Sequence, residues 1–309
     1  MALSLNADTR LLVVAPHPDD ESIATGELIQ QVRESGGDVQ ILLLTNGDNN
    51  PWPQRWVERR LRIGTDERRR WGERRRGEVE RALRQLGVDP VALHPLGWPD
   101  MGITERLFED FIPAVSALTA CLAACRPNLV AMPALGDHHP DHGAAHVLVR
   151  LAVSQWQGGA PEMLAYLVHG REDEVTGRVK LDSSVGLHAN KLAALACHQS
   201  QMALSGKRMR RLADRAERYQ SIKEGAAGMA APVLPWVPSA ALHPWLRLTV
   251  VDSRGVHDWP WSKAPISQDG QGRYVLHGVA AGDPSPAFAK LHMYVPSPWI
   301  FDRWGWCEL

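Results

Sequence analysis

Leu11–Ala15 is a run of five apolar residues cut off by Pro16 and Pro18, with His17, Asp19, Asp20 and Glu21 between and behind the prolines. An apolar run of this length, bounded by breakers, reads as a strand buried on both faces, the kind found in parallel sheets. A helical pattern follows at once over Glu21–Glu34, with Ile23, Leu28, Ile29 and Val32 on a stripe that ends before Gly36. Polar groups gathered where a strand gives way to a helix sit at the carboxyl edge of an open α/β sheet, where such folds hold ligands. One stretch therefore constrains both the fold and the place of a site.

The residue types suggest a metal. Zinc takes imidazole nitrogen and carboxylate oxygen, and a catalytic zinc needs three protein ligands and one open position. His17 and Asp20 supply two ligands from one turn and leave Asp19 beside the metal as an unligated base. The plainer reading is that Asp19 and Asp20 cap the helix. A third ligand has to come from elsewhere in the chain, again after a buried strand. Asn128–Ala134 reads as such a strand and Gly143–Arg150 as the helix behind it; between them stand Asp137, His138, His139, Asp141 and His142. Capping explains one such loop. Two, each at a strand-to-helix junction, point to a metal.

Val39–Thr45 and Val91–Leu96 read as further strands, with helical patterns over Gly77–Leu86 and Leu107–Ala124. Strands alternating with helices imply right-handed βαβ units and a doubly wound, mainly parallel, Rossmann-like α/β sheet. Glu162–Gly170 and Arg178–Ser183 are predicted strands, Leu187–Ala203 a helix, and Lys207–Gln220 a basic surface helix. Residues 1–224 then form the main domain, and the Ala/Pro-rich Gly225–Pro244 forms a linker. Residues 245–309 form a small Trp-rich β extension, with strands over Trp245–Asp252, Gly272–Val279 and Ala289–Val295. Its tryptophans fit the core of a β layer or an oligomer contact, with sugar stacking as the functional alternative.

Composition removes other classes. A net charge of -1 over 309 residues argues against generic nucleic-acid binding. Met1–Arg10 lacks the basic and apolar regions of a signal peptide. No uncharged apolar run reaches the ~18 residues of a membrane span. Four cysteines without disulfide-rich spacing suit a cytoplasmic enzyme with reduced thiols, and a homo-oligomer is compatible with all of this.

PHPDDE (Pro16–Glu21) and HPDH (His139–His142) together resemble the PIG-L/LmbE-like family of zinc-dependent N-deacetylases. The resemblance runs from about Leu11 to Gln201 and leaves out the C-terminal third. It implies zinc, or another divalent metal, on His17, Asp20 and His142, with Asp19 as base and a protonated His139 steadying the oxyanion. Asp141 would orient an imidazole from behind. It further implies Arg75, in the Arg-rich segment Gln54–Arg76, as a pocket arginine that would suit an anionic group, and Asp100 as a reader of sugar hydroxyls. Asp48 would contact substrate or serve only the turn. His198, in KLAALACHQSQ, would line the pocket, cap a helix or pack. The implied substrate is an N-acetylglucosamine-type glycoconjugate. The alternatives are a larger acyl or thiol-sugar amide, or carbohydrate binding without turnover.

Overall fold

The computed structural model describes residues 3–170, 178–222, 231–278, 285–294 and 303–309. Strands β1 (Arg10–Ala15), β2 (Asp38–Thr45), β3 (Leu93–Trp98), β4 (Leu129–Pro133), β5 (Glu162–Tyr166), β6 (Arg178–Lys180) and β7 (Arg218–Ile222) form one sheet in the order β3-β2-β1-β4-β5-β7-β6. The first five are parallel; β7 runs antiparallel to β5, and β6 to β7. Helices are α1 (Asp20–Glu34), α2 (Pro51–Glu58), α3 (Thr65–Gln85), α4 (Ile103–Glu109), α5 (Phe111–Cys125), α6 (Pro140–Gln155), α7 (Val185–Ala196) and α8 (Gln199–Ala213). The fold is the doubly wound α/β sheet expected from the sequence.

Alternation along β1 divides the core. Leu11, Val13 and Ala15 pack with α1, α3 and α7, whereas Leu12 and Val14 pack with α4, α5 and α6. Both faces are covered, which is why the strand reads as an unbroken apolar run. The chain steps outward from β1 to β2 and β3, then returns to β4 on the other side of β1. The crevice beyond β1 and β4 is therefore the topological switch point. Both His/Asp loops open into it.

Several elements differ from the sequence reading. The helix expected over Leu107–Ala124 is two helices broken at Asp110, because Pro113 has no N–H and its ring crowds the carbonyl four residues back. The helix expected over Leu187–Ala203 breaks at Cys197–His198, where His198 turns inward. Lys207–Gln220 is not one surface helix. It is the end of α8 followed by β7, whose Tyr219 is fully buried and donates its hydroxyl to the Ala24 carbonyl. Part of the expected linker belongs to a core, since Leu234 and Trp236 are buried and the Trp236 indole N–H donates to the Trp304 carbonyl. Residues 223–230, and the ends of the strands expected over Gly272–Val279 and Ala289–Val295, fall outside the described residues.

The C-terminal region is antiparallel: β8 (Leu246–Asp252), β9 (Gly255–Pro260), β12 (Phe288–Met293) and β13 (Trp306–Glu308) form one sheet, and β10 (Ile266–Gln268) and β11 (Tyr274–Leu276) a pair. Trp236, Trp261 and Trp306 are buried, so these three are core residues. Val251, Phe288 and Trp306 pack with α5 and α6 in the core of the main sheet. Gly143 is needed at this contact, because a Cβ there would lie 2.7 Å from Trp306 Cδ1. Arg150 of α6 grips the Glu308 carboxylate with two bonds, of 2.6 and 3.2 Å. The extension thus buttresses the helix that begins with the HPDH motif. Trp306→Ala should lower unfolding free energy by about 3–5 kcal/mol, the scale of a large aromatic removed from a core. Urea denaturation checks it; unchanged stability would mean that the extension is an independent appendage.

Candidate metal centre

Pro16–Asp19 form the turn out of β1, and α1 begins at Asp20. His139 is the cap of α6 and Pro140 its first residue, where a missing N–H costs nothing. Asp141 and His142 thus fall in the first helical turn, facing the crevice. His17 Nδ1, Asp20 Oδ2 and His142 Nε2 form a triangle with edges of 3.4, 3.3 and 3.3 Å. Tetrahedral ligands 2.0–2.2 Å from zinc would stand roughly 3.3–3.6 Å apart. The donor set fits the ion.

The other nitrogen of each imidazole meets carboxylate. His17 Nε2 lies 3.2 Å from Asp141 and 3.3 Å from Asp100, and His142 Nδ1 lies 3.1 Å from Asp137. Carboxylates behind metal-binding histidines fix ring orientation and tautomer. His17, Asp100 and Asp141 also come close enough to count as a donor cluster, as do His17, His139 and His142. Asp100 and Asp141, however, address the His17 nitrogen that points away from the triangle. His139 uses Nδ1 to accept the Asp141 N–H at 3.3 Å.

Charge demands a cation here. Asp19, Asp20, Glu21, Asp100, Asp137 and Asp141 are all buried, with Arg75 the buried guanidinium among them. Such a surplus of negative charge is costly unless it is paired. Without a metal, imidazole protons fill the need: against the pull of burial, Asp137 and Asp20 raise the His142 pKa to about 10. Asp20, also against burial, is held well below the carboxylate range by His142 and His17. Asp19 behaves differently, because burial pushes it up to about 7 while Arg75 pulls the other way.

Asp19 is also strained, with φ 122° in a region that side chains avoid. Its N–H donates to Glu21 Oε2 at 3.0 Å, and Glu21 Oε1 takes bonds from Ser22 and His198. Its carboxylate meets the Arg75 guanidinium at 3.2 Å. Arg75 donates as well to the carbonyls of Gly47 and Pro18, at 2.7 and 2.6 Å. The Gln201 amide oxygen, turned toward the guanidinium, lies 2.9–3.2 Å from its three nitrogens. Gly47 is obligatory at this contact: its φ is +61°, and a Cβ would overlap Arg75.

The structure thus gathers His17, Asp19, Asp20, Asp100, His139, Asp141 and His142 but corrects several expectations. Arg75 has its fork occupied by protein oxygens and presents no free edge to an anion. The Asp141 N–H on Nδ1 favours a neutral His139 with its proton on Nε2, not the protonated ring expected. Burial, with the charges of His17, His142 and His169, pushes its pKa down to about 2. Asp100 is tied to the Asn49 N–H and faces His17. Asp48 stands apart, half-buried in an open cleft of ≈ 610 Å³ with Arg68, Arg69 and Arg76. Sequence reasoning missed the roles of Glu21 and Asp137 as anchors, though Glu21 closes the first motif and Asp137 stands two residues before the second, where their charge was the signal. His198 packs against Glu21 inside the protein.

Such a fold and donor triangle define a class: a Rossmann-like protein with a candidate metal centre at its switch point. Residues 12–153, a little under half of the chain, match the family model of PIG-L, GlcNAc-PI de-N-acetylase. Over 163 residues the chain is 38% identical to a 1D-myo-inositol 2-acetamido-2-deoxy-alpha-D-glucopyranoside deacetylase of Mycobacteroides abscessus, covering 48% of this chain and 57% of that one. The match spans about half the length of such mycobacterial relatives. An N,N'-diacetylchitobiose deacetylase from Pyrococcus horikoshii superposes with a TM-score of 0.54 at 20% identity, covering 69% of this chain and 83% of that one. A 4-carboxy-2-hydroxymuconate hydratase from Pseudomonas putida KT2440 superposes with 0.51 at 19%, covering 72% and 100%. One fold carries both names, so the reaction has to be argued from the site.

Metal analysis of the purified chain should find about one divalent ion, lost in His142→Ala. Asp137→Ala should weaken metal affinity about 10- to 100-fold, the usual cost of removing a carboxylate behind a ligating histidine. Equal affinity in that variant would show that Asp137 does not support the centre.

Proposed function

We propose that the chain is a zinc-dependent N-deacetylase that cleaves the acetamide of an N-acetylglucosamine-type sugar, giving acetate and a free amine. The observation that carries this reading is the His17–Asp20–His142 triangle beside an unligated, buried Asp19. Similarity to a named sugar deacetylase supports the substrate class. Zinc held by the triangle would supply Lewis acidity and lower the pKa of a bound water.

The chain's own groups do the rest. Asp19, with a pKa near neutrality, takes the proton of the attacking water and gives it to the departing amine. His139 donates from neutral Nε2 to the carbonyl oxygen as negative charge develops there. Asp141 and Asp137 hold the two imidazoles in place. Both Asp100 oxygens are engaged, by the Asn49 N–H and His17, which leaves the half-buried Asp48 to accept a bond from a sugar hydroxyl. Arg75 keeps the Asp19 carboxylate in position, so nothing in this reading requires an anionic substrate.

Acetate release from a panel of N-acetylated sugars tests the function, and a chain that binds metal and sugar without turnover would refute it. Asp19→Asn should keep the metal and lose turnover by about two to four orders of magnitude. Arg75→Ala should lower turnover roughly 10- to 150-fold, the equivalent of one charged hydrogen bond. The loss should be equal on neutral and phosphorylated substrates; a selective loss on the phosphorylated one would make Arg75 an anion reader.

A further inference from the structure

We propose that α2, the loop after it and the outer face of α8 form a docking surface for an anionic lipid membrane. Trp52 and Trp56 lie one turn apart on α2, and each is 67% exposed. Leu61 is 88% and Leu204 48% exposed. Large apolar groups this close together on a water-facing surface mark a contact site. An open cleft of ≈ 580 Å³ runs between Trp56, Arg59 and Leu61 on one side and Ala203 of α8 on the other. A second cleft of ≈ 690 Å³ shares Ala203 and continues past Lys207, Arg208 and Arg211. The two form one surface.

Its charge is as uneven as its apolar content. Arg59, Arg60, Lys207, Arg210 and Arg211 line the two clefts and are all exposed, in a chain whose net charge is only -1. Of the acids on these segments, Glu58 and Glu67 pair with Arg70 and Arg60, and Asp214 at the end of α8 faces His188. Indole rings with arginines around them suit the headgroup layer, and aliphatic tips suit the acyl boundary beneath it. Leu61 and Leu204 offer no stacking face to a base, which disfavours single-stranded nucleic acid. A symmetric contact between two copies would set these arginines against themselves. The loop leading into α2 carries Asn49, whose N–H holds Asp100 at the metal centre, so a docked lipid surface would lie beside that centre.

Co-sedimentation of the full chain with vesicles tests the proposal without any turnover, so it stands apart from the deacetylase reading. The chain should pellet with vesicles of about one part phosphatidylglycerol to three parts phosphatidylcholine and remain in solution with pure phosphatidylcholine. Added salt should weaken the binding. Trp52→Ala with Trp56→Ala, and separately Arg59→Gln with Arg60→Gln, should each weaken it by about tenfold or more at unchanged melting temperature. Equal binding to both vesicle types, no binding to either, or full binding by both variants would overturn the proposal. So would tighter binding to single-stranded oligonucleotide than to vesicles, or a dimer in solution that the tryptophan variant dissociates.

Discussion

The parallel pairing of β1 with β4 is the interaction on which the site depends. It sets Leu11 opposite Leu129 and Val13 opposite Ala131, so the two loops leave the sheet side by side. Both faces of β1 are apolar, and alternation alone would not forbid a slipped register. Polar pins at the ends do that. Arg10 and Asn128 exchange bonds at one end, and at the other Thr45 N–H donates to the Pro16 carbonyl and the Tyr166 hydroxyl to Val14. A slip of one residue would break these bonds and separate His17 from His142.

From that pairing follows an electrostatic problem and its solution. Two acidic loops are forced together in a buried crevice, and their carboxylates repel unless positive charge lies between them. Protonated imidazoles meet part of the need, whereas a divalent ion meets it with the correct ligand spacing already in place. The second layer of Asp137 and Asp141 adds negative charge where a ligating histidine needs its outer N–H held. Acid surplus and donor geometry make the same demand.

The parts legible in the sequence were those in which a local pattern carries the information. His17 and Asp20 are three residues apart and His142 opens a helix, so spacing alone puts them at strand ends. The doubly wound sheet followed from apolar runs alternating with helical stripes. Arg75 was misread because its partners, the Gly47 and Pro18 carbonyls and Gln201, come from three separate segments, and no local signal marks a guanidinium as already satisfied. β7 was hidden because Arg215, Glu217 and Arg218 carry on the charged pattern of α8, although Glu217 is buried against α1 and Tyr219 fills the core. The linker reading failed for a related reason: Ala and Pro suggested solvent, but Leu234 and Trp236 needed a core to fill.

The break between α7 and α8 and the strain at Asp19 belong to one device. A non-glycine residue at φ 122° costs on the order of 1–3 kcal/mol, about what one to three hydrogen bonds return. Glu21 supplies one such bond to the Asp19 N–H, but only if its own carboxylate is fixed, and His198 fixes it. Arg75 holds the Asp19 side chain, but only if the guanidinium is itself oriented, and Gln201 orients it. An unbroken helix over 187–203 would run His198 and Gln201 on in its own direction. The break at Cys197–His198 starts a new helix, whose first turn aims His198 at Glu21 of α1 and Gln201 at Arg75 of α3. The strained turn persists because a segment nearly two hundred residues away is shaped to hold it.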